Sequence, residues 1–215
     1  MSDISALLVH ALNPWRKAKA WHVALSGGLD STVLLHLLVQ LRKTHALPAL
    51  TAIHVHHGLQ AIADAWPAHC QALCDGLGVP LQVVRVQVRS GPSIERAARE
   101  ARYQVFAALT QADEVLLTGQ HRDDQAETML FRLLRGAGVS GLAGMPRQRR
   151  LGDGDMCRPL LDVSRTALEK YAHAHGLNWV EDPSNAHSDL SRNYLRHEVL
   201  PILTRRWPQA AATLA

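Results

Sequence analysis

Two short stretches concentrate the residue types that could handle a polyphosphate. The first is VALSGGLDST, Val23 to Thr32. An apolar run meets Gly27 and Gly28, then Leu29, Asp30, Ser31 and Thr32, and a second apolar run follows. Glycines remove the side chains that would keep a ligand off the backbone. Amides at a helix start point outward unpaired, so phosphate oxygens can accept their hydrogen bonds. Ser26, Ser31 and Thr32 add hydroxyls. Asp30 is the odd member, since a carboxylate repels phosphate; a divalent cation, Mg²⁺ by its hardness, resolves the conflict by bridging the two. The string has neither the Lys-Ser/Thr ending of a Walker A loop nor the GxGxxG spacing of dinucleotide folds. A plain capped turn between strand and helix would need one glycine, not the whole string.

The second stretch is TGQHRDDQAETMLFRLLRGAG. Asp123 and Glu127 are four positions apart and Asp124 and Glu127 three, so they can share a helix face. His121 stands just before them. Surface helices often carry such acids, and that solvated reading stays open on the cluster alone. Beside a phosphate cleft the same carboxylates could complete a Mg²⁺ shell or orient an attacking amine. Arg132 and Arg135 could meet phosphate or nucleic acid, or be solvated.

Four repeats of a short apolar strand followed by a helix must position these groups. The strands are Val23 to Leu25, ALTAIHVHH, VPLQVVRVQV and DEVLLTG. Between them run DSTVLLHLLVQLRK, with leucines at 34, 35, 37, 38 and 41, then DAWPAHCQALCDGLG, SIERAAREARYQVFAALTQ with Ser93 as N-cap, and DDQAETMLFRLLRG. The alternation predicts an α/β fold of three layers, a mostly parallel five-stranded sheet with helices on both faces. Ligands of such sheets sit beyond the carboxyl ends of the strands, where both stretches fall. After the glycine-rich RGAGVSGLAGMP come a weaker strand or turn near MCRPLL and the helix SRTALEKYAHAHG. A polar loop and a helix broken by Pro201 close the chain. Residues 1–182 are expected to form the nucleotide-binding domain and 183–215 a polar loop and helical extension. The sequence stops in AATLA, mid-pattern, and is expected to be a fragment leading into further domains.

The 215 residues carry a net charge of +4, which permits an anionic partner without requiring one. Three cysteines do not make a secreted disulfide scaffold. Cys70 and Cys74, a helical turn apart, lack a nearby third ligand and read as core filler. No apolar run approaches membrane-spanning length. The early ALLVHAL has no basic leader and no clear cleavage site, so a cytoplasmic protein is the expectation.

Taken in order, further residues narrow the reading. SGGLDS at 26–31 resembles the pyrophosphatase-type loop of enzymes that adenylate a carbonyl oxygen. IHVHHGL, HRDDQAET, LLRGAGVSGLAGM, RPLL, EDPSN and RNYLR follow it. Together, over roughly residues 20 to 200, they resemble the bacterial tRNA(Ile)-lysidine synthetase family. The resemblance implies a Rossmann-like, adenine nucleotide alpha hydrolase-like fold with ATP and Mg²⁺ as cofactors. It implies that ATP activates the C2 carbonyl of the wobble cytidine (C34) of tRNA(Ile) with a CAU anticodon. The amino group of free L-lysine then attacks C2, and AMP and pyrophosphate are released.

Carried over position by position, the resemblance implies that Ser26, Gly27, Gly28, Leu29, Asp30 and Ser31 hold the pyrophosphate portion. Ile53 and His54 would lie along adenine through backbone groups. Asp30, Asp124 and Glu127 become the expected metal ligands. Asp30, His121, Asp123, Asp124, Glu127 and Arg192 become the catalytic set, with Asn193 beside Arg192 in the late motif. The family commonly places Arg after HHGL, where Gln60 stands here. Relatives that thiolate tRNA use paired cysteines near the active site, and Cys70 and Cys74 lie in the wrong segment for that. Candidate RNA contacts are Arg147, Arg149, Arg150, Arg205 and Arg206, and a homodimer is left open. The alternatives are another tRNA-modifying or amidotransferase-like adenylating enzyme, and a nucleotide-binding module without catalysis.

Overall fold

In β1 (Ala20–Ala24) Trp21 and Val23 are fully buried on one face, while His22 and Ala24 turn to the other. That alternation is what a strand covered on both sides requires. The computed structural model to which it belongs describes residues 4–58, 61–88, 94–138, 143–186 and 191–215. Expectations at Ser93 and Gln60, and at residues 139–142 of the glycine-rich stretch, fall outside the described residues.

Five further strands, β2 (Ala49–His56), β3 (Leu81–Arg85), β4 (Glu114–Leu117), β5 (Gln148–Leu151) and β6 (Gly154–Cys157), complete one sheet in the order β3-β2-β1-β4-β6-β5. All pairings are parallel except β5 with β6. The expected five-stranded sheet is therefore corrected to six strands of mixed direction. The missed strand, QRRL, buries only Leu151 and carries arginines, as suits an exposed edge. It is tied to β6 by a tight turn in which Gly152 takes a φ of +59°. A Cβ there would come within 2.6 Å of the Ala107 carbonyl oxygen, so close packing and backbone sign both demand glycine.

On one face α1 (Ile4–Leu12), α2 (Leu29–Arg42), α3 (Trp66–Leu77) and α6 (Arg165–Ala174) share a core. Leu8, Leu34, Leu38, Cys70, Cys74 and Leu168 are buried there with Trp21 and Val23. On the other face α4 (Ile94–Leu109) sets Phe106 against Ile53, Leu116, Leu151 and Met156. α5 (Arg122–Leu134) leaves the end of β4, and its Ala126 and Leu130 meet Leu195 and Leu200 of the C-terminal segment. That segment comprises α7 (Ser191–Tyr194), a π-turn over Leu195–Val199, α8 (Leu200–Arg206) and α9 (Ala210–Leu214). Pro201 does not break it. The wider π-turn bonds Leu200 N–H to the Leu195 carbonyl, five residues back, and Pro201 falls in the first turn of α8, where its missing N–H costs little.

β1 neighbours β2 on one side and β4 on the other. The chain leaves these strands in diverging directions, and a crevice opens at their carboxyl ends. Among the described residues no helix is long and apolar enough to cross a membrane.

Candidate active site

A cleft of about 820 Å³ occupies that crevice, a size suited to a nucleotide. Its floor is the loop from Ser26 to Ser31. Gly28 precedes the first turn of α2 with no side chain capping that turn, while the Ser26 and Gly28 amides donate to Ser31 Oγ and Ser26 Oγ at 3.2 Å each, so the amides that open α2 are the ones left for a ligand. Inside the loop the Ser26 and Ser31 hydroxyls lie 3.0 Å apart, and Ser31 Oγ donates to the Gly28 carbonyl at 3.1 Å. The two glycines differ. Gly27 has a φ of +87°, and a Cβ there would sit 3.1 Å from both Cys70 Sγ and Val180 Cγ2. Gly28 has ordinary backbone angles and lines the cleft, with nothing nearer than 3.4 Å to an added Cβ. Gly27 thus lets the loop pack, and Gly28 lets a ligand approach.

Asp30 points into the cleft, and its buried Oδ1 has no hydrogen-bond partner among the described residues. Burial pushes its carboxyl above the usual range, opposed by His121. The end of β4 presses against this turn: a Cβ on Gly119 would lie 3.0 Å from the Asp30 carbonyl carbon and 3.1 Å from Ser31 N. Sequence reasoning missed Gly119.

His121 is fully buried and central. Its Nδ1 accepts from the Asp124 N–H at 3.4 Å while Asp124 Oδ2 accepts from the His121 N–H at 3.0 Å, a reciprocal cap on α5. Nε2 lies 3.6 Å from both Asp30 Oδ1 and Asp124 Oδ2. The ring thus spaces the two acids apart and does not line the cleft.

The expected acidic set divides. Asp124 lines the cleft, and its Oδ1 accepts from Arg196 Nη2 at 3.0 Å. Asp123 does not line it; its Oδ2 accepts from the Arg165 N–H at 2.9 Å at the start of α6. Glu127, 1% exposed, gives both oxygens to Arg196, at 2.6 and 3.0 Å. Burial pushes its carboxyl up, and Arg196 pulls it back. Two expectations are corrected: Glu127 is engaged as the anchor of Arg196 and not presented as a metal ligand, and Asp123 caps a helix. Among the described residues no three His, Cys, Asp or Glu side chains converge as a ready metal cage. The donor set still suits Mg²⁺, which binds through one or two carboxylates plus substrate phosphates. Asp30, which lines the cleft within the loop and whose Oδ1 makes no hydrogen bond among the described residues, is the residue that would hold it.

Arg192, expected at the phosphate, donates to Thr128 Oγ1 at 2.6 Å and does not line the cleft. Asn193 ties down the Ser184 carbonyl at 2.8 Å. Of the two arginines of RNYLR, the one that enters the cleft is Arg196. Ile53 is buried and its carbonyl accepts from Leu25 N–H at 2.9 Å, so it is withdrawn from an adenine contact. His54 and Val55 do line the cleft, with His54 Nδ1 2.8 Å from the Leu25 carbonyl. Burial pulls the His54 imidazole below its ordinary value.

The structure adds Arg102, Arg165, Trp179 and Asp182 to the walls. Arg102 had a legible signal, since it falls on the same stripe of its helix as buried Ala98 and Phe106, where a solvated arginine does not belong.

Residues 2–203 match the PP-loop domain family. The chain is 66% identical to tRNA(Ile)-lysidine synthase of Pseudomonas fluorescens, over 99% of this chain and 48% of that protein. It is 54% identical to tRNA(Ile)-lysidine synthase of Serratia proteamaculans, over 100% and 49%. The chain therefore spans about half the length of the curated relatives it matches. Among solved structures, the U34-tRNA thiolase NcsA of Methanococcus maripaludis with its [4Fe-4S] cluster superposes with a TM-score of 0.78 at 18% identity, covering 98% of this chain and 75% of that one. The NH3-dependent NAD synthetase of Campylobacter jejuni superposes at 0.53 and 14%, covering 100% and 92%. These two speak for the fold alone. With the SGGLDS loop at the carboxyl end of β1 and the acidic helix across the cleft, the chain belongs to the PP-loop domain family and is homologous to the tRNA(Ile)-lysidine synthases.

Proposed function

We propose that the protein to which this chain belongs is a cytoplasmic ATP-dependent ligase that converts C34 of tRNA(Ile) to lysidine. Residues 1–182 would form its nucleotide-binding unit, of Rossmann-like, adenine nucleotide alpha hydrolase-like type, and 183–215 a helical extension that lends Arg196 to the site. The observation that carries this reading is the meeting, in one cleft, of the loop amides and Asp30 with the Asp124–Arg196 pair. The homology to tRNA(Ile)-lysidine synthases supports the substrate.

In this reading the amides and hydroxyls of residues 26–31 bind the pyrophosphate portion of ATP, and the end of β2 at His54 and Val55 lies along the adenine. Mg²⁺ held by Asp30 would offset charge on the polyphosphate as the C2 oxygen attacks the α-phosphorus. The C2 oxygen leaves poorly until it bears AMP; once it does, the lysine amine attacks C2 and AMP departs. Asp124 presents a carboxylate to the cleft, where it can hold a cationic amine near the reacting carbon. Arg102, Arg165 and Arg196 supply the positive wall that α- and β-phosphate oxygens require. His121 keeps Asp30 and Asp124 in place from behind.

Incubation of the full-length protein with labelled lysine, ATP and tRNA transcripts tests this. Label should enter tRNA(Ile) with stoichiometric AMP release and only when lysine is present. Activity on another acceptor without lysine incorporation would overturn it.

A further inference from the structure

The same helix that sends Arg102 into the cleft carries a second basic group at the cleft's mouth. Tyr103 lines the pocket, and the guanidiniums of Arg99 and Arg149 lie over its ring at 4.9 and 5.0 Å from the centroid. Arg99 Nη2 also reaches the Tyr103 hydroxyl at 3.4 Å, and buried Arg158 hydrogen-bonds to the same side chain. With Arg102, four guanidiniums gather around one phenol, and among the described residues no carboxylate pairs with any of them. The neighbouring arginines are different. Arg147 is paired with Asp162 at 2.6 Å and Arg150 with Asp155 at 2.9 Å. Arg149 faces α4 on the side of β5 that Leu151 shares, whereas Arg150 faces away. Among the described residues, the acids nearest this strand, Asp155 and Asp162, sit on the other arginines.

Crowding like charges is unfavourable unless an anion arrives to offset it. Burial pulls the Arg102 guanidinium below its ordinary pKa, with Tyr103 opposing the shift and Arg99 adding to it. The group is continuous with the catalytic cleft through Tyr103 and Arg102, yet Arg99 and Arg149 are exposed outside it. A free nucleotide held by the loop would occupy the cleft and have no phosphate left for the mouth. A polynucleotide with one base inside the cleft must lead its flanking backbone out across the rim. A half-buried ring at the rim, flanked by exposed guanidiniums, serves such a strand chiefly by phosphate contact, with the ring holding the guanidiniums in place.

We propose that Arg99, Tyr103 and Arg149 form a landing site for the single-stranded RNA backbone that flanks the base undergoing reaction. This rests on the reading of the protein as a tRNA-modifying enzyme, and it adds the place where the strand crosses the rim.

The test is filter-binding of a tRNA(Ile) transcript to the full-length protein at several salt concentrations, for wild type, Arg99→Ser/Arg149→Ser and Arg150→Ser. ATP binding by calorimetry and lysine incorporation are read in parallel. The double variant no longer neutralises two phosphates of a single strand. It should therefore lower the slope of log affinity against log salt by about 1.4 and weaken binding roughly tenfold. Its ATP affinity and melting temperature should stay at the wild-type values, and Arg150→Ser should leave the slope unchanged. An unaltered slope in the double variant, or an equal loss in Arg150→Ser, would overturn the landing site while wild-type lysine incorporation left the enzymatic reading standing. Absence of incorporation in a wild type whose RNA binding still depends on Arg99 and Arg149 would overturn that reading and keep the site.

Discussion

Arg196 and Glu127, 69 positions apart, are joined by two parallel hydrogen bonds, Nε to Oε1 at 2.6 Å and Nη2 to Oε2 at 3.0 Å. The same Nη2 reaches Asp124 Oδ1 at 3.0 Å. This fork pins the π-turn to α5 beside the apolar contact of Ala126 and Leu130 with Leu195 and Leu200. The C-terminal segment is therefore part of the site, held by charge as well as by burial. A planar guanidinium can satisfy both carboxylates at once, and an ammonium on the same stem cannot.

Removing Arg196 leaves Glu127 buried without its partner, so it must either carry an uncompensated charge or take up a proton. Arg196→Ala should cost about 3 kcal/mol in urea unfolding. The double variant Glu127→Gln/Arg196→Ala should cost clearly less than the two single changes added together. A coupling energy near zero in this double-mutant cycle would show the fork to be incidental.

The two loop glycines should fail differently. Gly27→Ala places a side chain in the left-handed region and against Cys70 and Val180, so it should lower stability by about 1–3 kcal/mol. Gly28→Ala has room and allowed angles, so its melting temperature should hold. Gly28→Val should also fold yet lose ATP binding, because its side chain enters the volume the phosphates need. Thermal melts set beside calorimetric titration with ATP separate the two. Equal destabilisation at both positions would refute the division.

Asp30→Asn keeps the shape of the side chain and removes its charge. It should abolish the Mg²⁺ dependence of ATP binding while the protein stays folded. Oδ1 has no hydrogen bond to lose and faces His121 Nε2 only at 3.6 Å, so relief of the buried charge should offset the lost attraction and leave stability nearly unchanged. Calorimetry with ATP, with and without Mg²⁺, decides. Wild-type metal dependence in a folded Asp30→Asn protein would remove Asp30 from the metal site.

The loop was legible because two adjacent glycines, an acid and hydroxyls at a strand-to-helix joint leave few other uses. The parallel core was legible from apolar strands spaced by helical leucines. β5 was hidden because three of its four residues are polar, as an exposed edge allows. Asp123 and Asp124 could not be told apart by spacing: neighbours on a helix point about 100° apart, one to the start of α6 and one to the cleft. Arg192 and Arg196 sit four apart in one motif, and a π-turn begins between them. That wider turn changes which face each residue shares, and nothing in the residue types announces it.

His36 is buried between α2 and α6, at 7% exposure. Gln40 Nε2 donates to its Nε2 at 3.0 Å, so the ring proton sits on Nδ1, which donates to the Tyr171 hydroxyl at 2.9 Å. Protonating Nε2 would set it against the amide donor. Burial first, then His175 and Lys43, pull the imidazole below its ordinary value of 6.5. A histidine with a lowered folded value binds fewer protons than it does unfolded, so stability rises with pH through the interval between the two values. Its contribution should be complete above about pH 6.5 and should decline as the pH falls toward the folded value. His36→Gln should therefore flatten the fall in unfolding free energy between about pH 7 and pH 5, most visibly in urea titrations at half-unit steps. His54, also pulled down by burial, should retain its share of the slope. An identical pH dependence in wild type and His36→Gln would mean that this buried imidazole titrates as it does in the unfolded chain.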